Sequence, residues 1–143
     1  MDFWVDVIIG AASAVAFIAI TRAFGRLEPV LFAAGLLGAA VVYVGFGLAA
    51  RSASELIIEL GGSALFGALG VLGVVSSIWF LAAGWAVHAV WDFVVPAFAE
   101  VSSMPAWYAA TCLGFDLVVA AYLVVRARGG LAISTAGAGT HAA

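Results

Sequence analysis

The chain reads as an all-α integral membrane bundle of five transmembrane helices. Two figures and one pattern predict this. Of its 143 residues 66% are hydrophobic and only 9% charged, with a mean hydropathy of +1.24. A water-soluble domain carries about a quarter charged residues, so this chain lacks the side chains to coat a globule. The pattern is a series of apolar tracts of bilayer-spanning length, punctuated by arginine, proline and glycine.

A spanning helix needs about 20 apolar residues. The first candidate covers about residues 3–21 and ends before Arg22, Arg26, Glu28 and Pro29. Asp2 and Asp6 carry the wrong charge for the leading region of a signal peptide, and no small-residue cleavage site follows. That helix is therefore expected to be retained. The second covers about residues 30–50 and stops at Arg51. An unbroken apolar tract then runs from Ser54 to Val95. As one helix it would be about 60 Å long, twice the hydrocarbon thickness, so it must fold back. The glycines and serines between Gly73 and Ser77 are the helix-weakening cluster near its centre, which gives helices over 54–72 and 77–95. Pro96 and Pro105 bracket a short loop carrying Glu100, and the fifth helix covers about 106–125, up to Arg126 and Arg128. Residues 1–126 thus form one transmembrane domain. Residues 127–143, small and aperiodic and including His141, read as a flexible cytoplasmic tail.

Arginine sets the orientation. With the N-terminus outside and the C-terminus cytoplasmic, Arg22, Arg26, Arg126 and Arg128 all face the cytoplasm and only Arg51 lies outside. The positive-inside rule favours that topology, in the cell's inner (plasma) membrane. Trp4, Trp107 and Tyr108 then fall at the outer boundary and Trp79 near the inner one, as interfacial anchors. Glycine and alanine, interleaved throughout, predict close helix packing in lipid.

Composition also closes off several chemistries. The sequence has no Lys, Asn or Gln. Lysine Schiff bases, phosphate-binding loops and N-glycosylation acceptors are therefore absent from it. A formal net charge of −3 and a pI near 5.0 argue against a nucleic-acid partner. Cys112, the single cysteine, forms no intramolecular disulfide. The partner this composition implies is the lipid bilayer.

Against this background the ionisable residues inside the spans stand out, since each costs several kcal/mol unless paired, protonated or facing water. Glu55 and Glu59 lie four apart on the third helix, His88 and Asp92 four apart on the fourth, and Cys112 and Asp116 four apart on the fifth. Each pair shares a helix face. Tyr108 precedes Cys112 by one turn, and Asp6 sits in the first helix. Counting rise per residue from the outer ends places Asp92 and Glu59 roughly 5–8 Å deep, His88 and Cys112 about 10 Å and Asp116 about 15 Å. All belong to the outer half, where three helices bring polar groups to overlapping depth.

Glu59, His88, Asp92 and Asp116 are the candidate polar site, with Glu55, Cys112, Tyr108 and Arg51 as weaker members. One imidazole and two carboxylates, from His88, Asp92 and Asp116, suit a divalent metal ion. The same residues suit a small ligand or proton transfer, for which His88 is the titrating group. In the plainest alternative the protein is a structural or accessory subunit whose acids, protonated or paired with Arg51 at i, i+4 to Glu55, only hold helices together. In another it is a metal-dependent hydrolase acting on a lipid, with metal-bound water as nucleophile. A transport role would call for a homo-oligomer, five helices being few for one aqueous path. Glu28 reads as a solvated turn residue, and Tyr43 and Tyr122 as packed aromatics.

The Gly84, Trp85, His88, Trp91, Asp92 element, followed by Pro105, Trp107, Tyr108, Cys112 and Asp116, resembles the C-terminal half of an uncharacterised family of small prokaryotic integral membrane proteins. The run from Glu59 through Gly67 and Gly70 is similar to the same family. Further histidines tend to follow the Trp-Asp there, whereas this chain continues Phe93, Val94, Val95, Pro96. The resemblance implies a membrane fold and no particular activity.

Overall fold

A computed structural model of the chain describes residues 2–99 and 104–138. They form five α-helices: α1 (Phe3–Ala23), α2 (Glu28–Ala50), α3 (Ala53–Val75), α4 (Ile78–Ala99) and α5 (Ala106–Ala138), with a 3-10 turn over Gly25–Leu27 leading into α2. Each helix contains a stretch long and apolar enough to cross a membrane, the signature of a multi-pass membrane protein.

Local chemistry sets the helix ends. The Asp2 side chain accepts from the Trp4 amide at 3.2 Å and caps α1. Gly25 turns the chain at φ 55, a left-handed conformation suited to glycine, and Pro29 occupies the first turn of α2. Arg51 ends α2 at φ 54, and the next residue, Ser52, caps α3 by accepting from the Glu55 amide at 3.3 Å. The α3–α4 hairpin falls at Ser76 and Ser77, with the Ser77 hydroxyl accepting from the Trp79 amide at 3.4 Å. The fold-back lies inside the stretch anticipated from sequence, although Gly73 remains within α3.

Two boundaries differ from expectation. Helix α4 continues past Val95 to Ala99 and carries Pro96 within its last turn, at the cost of one backbone hydrogen bond. Helix α5 runs past Val125 to Ala138, so residues 127–138 are helical where a loose tail was expected. Arg126 and Arg128 end the apolar run without ending the helix, since arginine, alanine and leucine are all good helix formers. Glu100 and His141 lie outside the described residues.

Helices α1 and α5 pack side by side with their N-terminal ends together, and α5 packs in turn on α4, α4 on α3, and α3 on α2. The α1–α5 crossing is backbone-close: a Cβ on Gly10 would run into the Thr111 backbone, and one on Gly114 into that of Val7. Small residues permit this approach, the usual basis of helix association in lipid. Phe32, Leu36, Phe66, Leu81, Trp85, Val119 and Leu123 fill the centre. Large apolar side chains such as Ile8, Ile57, Val75 and Val125 point outward, while every acid among the described residues except Asp2 is buried. That inside-out distribution is the one a bilayer solvent demands.

Candidate metal centre

Helices α4 and α5 carry the site. His88 and Asp92 occupy successive turns of α4, and Asp116 faces them from α5; all three are almost completely buried. His88 Nδ1 lies 2.8 Å from Asp116 Oδ2 and 3.7 Å from Asp92 Oδ1. One donor atom from each residue falls within 4.8 Å of the others, and among the described residues these are the side chains that gather with metal-ligand geometry.

Hydrogen bonding here is incomplete. His88 Nε2 and both carboxylate oxygens of Asp92 are buried without a partner. Such groups are rare in folded proteins, because an unpaired buried polar atom forfeits its hydration with nothing in return. His88 is the one basic group in the ion pairs of these acids among the described residues, and none of those pairs brings them an arginine.

Aromatic rings hold the imidazole in place. Phe66 of α3 meets His88 edge-on at 4.8 Å between centroids, and Tyr43 of α2 does so at 5.6 Å. The Tyr43 hydroxyl faces the Asp92 carboxylate and interacts with it, with the Cys112 thiol and the Tyr108 hydroxyl close by. Four helices therefore define the surroundings of one histidine.

Of the residues singled out from sequence, His88, Asp92 and Asp116 come together, and Glu59 stands one step removed. Its Oε2 accepts from Trp91 Nε1 at 3.4 Å, and Trp91 has room for this because Gly62 opposite has no Cβ, which would lie 2.7 Å from the indole. Glu55 is buried one turn before Glu59. Cys112 and Tyr108 border the cluster and also line a cavity of about 220 Å³ with Phe17, Trp85, Thr111 and Phe115. Arg51 serves as the left-handed cap of α2.

Sequence reasoning passed over two residues. Tyr43 is a packed aromatic as expected, and one of the rings it packs against is the His88 imidazole. The available signal was depth, since about seven residues from the end of α2 put it about 10 Å in, level with the imidazole. Glu28, expected in a solvated turn, is instead buried at the other end of the bundle. It accepts a hydrogen bond from the Tyr122 hydroxyl and pairs with Arg126 at 2.8 Å. The signal was Tyr122 and Arg126 four apart on one face of α5.

No protein-family model matches the chain, and no curated protein or solved structure matches it. Whatever can be said of function rests on the geometry.

Proposed function

We propose that this is a multi-pass membrane protein that binds one divalent metal ion through His88, Asp92 and Asp116. The carrying observation is the pair of distances from His88 Nδ1, 2.8 Å to Asp116 and 3.7 Å to Asp92, around groups that lack other partners. Ligands about 2.1 Å from a common ion stand roughly 3–4 Å apart, so modest side-chain adjustment would bring all three into one coordination sphere. Charge supports the same reading. Two carboxylates and a neutral imidazole exactly balance a dication in formal charge, removing the expense of isolated charge at membrane depth. One nitrogen and two oxygens suit zinc, manganese or ferrous iron better than the thiolate-seeking metals.

Three protein ligands leave a coordination position free, as in catalytic rather than structural sites. An aromatic cavity lined by Cys112 and Tyr108, one turn of α5 from Asp116, supplies space for an apolar ligand nearby. This favours, as a second reading, a metal-dependent hydrolase acting on a lipid. By the positive-inside rule the N-terminus is external, and the site lies in the outer half of the plasma membrane.

The test is metal analysis of the purified, detergent-solubilised full chain. Wild type is expected to carry about one metal ion per chain under the three-ligand reading, and His88→Ala and Asp116→Asn, eluting as the same monodisperse species, are expected to carry none. Metal-free wild type that takes up no zinc, manganese or iron on titration removes the proposal and leaves a His–Asp pair serving proton transfer or helix packing.

A further inference from the structure

Asp6 is buried in the first turns of α1, with Oδ1 lacking any hydrogen-bond partner, and it takes part in none of the ion pairs among the described residues. It does not belong to the His88 cluster. It lines a separate cavity of about 290 Å³ with Phe3 of α1 and with Ala106, Trp107 and Ala110 of α5. On α5, positions 107 and 110 lie on roughly the opposite face from Cys112 and Asp116, given 3.6 residues per turn. The cavity also lies at the N-terminal ends of both helices.

Its walls indicate what it takes. A metal ion wants several oxygen or nitrogen ligands, and this pocket offers one carboxylate. A carboxylate sharing a cavity with a phenyl ring and an indole is instead the recognition chemistry of an organic ammonium, which pairs with the charge and can lie against an aromatic face. The volume, near the lower end for small-molecule sites, suits a group of headgroup size. Trp107 is half exposed at the start of a span, where indoles meet lipid headgroups.

We infer that the Asp6–Phe3–Trp107 cavity binds an organic ammonium group, from a phospholipid headgroup or from a free amine. Asp6 supplies the counter-charge, and Trp107 and Phe3 supply the aromatic faces. The site is independent of the metal proposal.

Equilibrium dialysis of labelled choline, and native mass spectrometry with short-chain phosphatidylethanolamine against short-chain phosphatidylglycerol, test this on the detergent-solubilised full chain. Saturable binding of at least one ammonium probe is expected, with phosphatidylglycerol excluded. Asp6→Asn, nearly isosteric, should weaken it about tenfold or more and Trp107→Leu several-fold, with His88→Ala unchanged; those losses correspond to removal of a charge partner and of a cation–π face. Binding of choline as well as the lipid identifies the ammonium alone as sufficient, and binding of the lipid alone identifies a headgroup site. Equal binding to Asp6→Asn, displacement by the neutral isostere 3,3-dimethylbutan-1-ol, or no saturable binding of either ammonium probe overturns the inference.

Discussion

Two buried polar clusters of this bundle, at Glu28 and at Asp92, are built on opposite terms. At Glu28, both carboxylate oxygens are engaged, one by the Tyr122 hydroxyl and one by Arg126. At Asp92, about 15 Å or more away along the bundle by the rise between Asp116 and Arg126, both oxygens are buried without a well-formed hydrogen bond, and their neighbours are His88 at 3.7 Å and the Tyr43 hydroxyl. Membrane interiors penalise an unsatisfied acid heavily, so a sequence that can complete one cluster has the means to complete the other. The first cluster is complete as it stands and works as a clasp between α2 and α5. The second leaves buried polar atoms without a full set of hydrogen bonds, and the proposed metal ion would complete it.

Metal addition should separate the two most strongly. If a dication completes the Asp92 cluster, an ion at a hundredfold excess over its Kd stabilises the folded chain by about 2.7 kcal/mol. Thermal unfolding in detergent would show that gain in wild type and its loss in His88→Ala and Asp116→Asn. Asp92→Asn supplies the sharper sign test. In chelator it should be as stable as wild type or more so, because an unpartnered carboxylate has gone, while metal-induced stabilisation disappears. A variant equally destabilised with and without metal would place Asp92 with Glu28 as a packing residue.

Next in size is Glu28→Gln. Losing a charged acceptor with two partners is expected to destabilise by about 1.5–3 kcal/mol, equally in metal and in chelator. A metal-dependent effect at Glu28 would erase the distinction between the two clusters.

How much of this was legible beforehand follows from what helix geometry does and does not encode. The five spans follow from composition, and the Ser76–Ser77 reversal from a tract too long for one crossing. The meeting of His88, Asp92 and Asp116 was approachable because the rise per residue gives each group a depth. Depth alone leaves rotation and neighbour order undetermined. Hence Glu59, at suitable depth, turns out to be held by Trp91 across the α3–α4 contact, and Tyr43, level with His88, gave no sign that α2 would present it to the imidazole. Glu28 was misjudged for a related reason. Its place beside Pro29 suggests a turn in water, but α5 runs on far enough to bring Tyr122 and Arg126 over it.

Within the Glu28 clasp the two partners should not contribute equally, and the smallest effects test that. The Arg126 side chain is 54% exposed whereas that of Glu28 is 9% exposed. A half-exposed guanidinium stays hydrated and screened, so Arg126→Ala should cost about 0–1 kcal/mol. Tyr122→Phe removes the hydroxyl that bonds the buried carboxylate directly and leaves the ring against Phe32 (centroids 5.7 Å apart). It should cost about 1–2 kcal/mol, since a buried acceptor loses a donor that water does not readily replace. Unfolding midpoints of the two single variants and the double variant resolve the order. If Arg126→Ala is the more damaging, the clasp is held by charge at the bundle's end, and the contrast with the Asp92 cluster narrows to the presence or absence of an arginine.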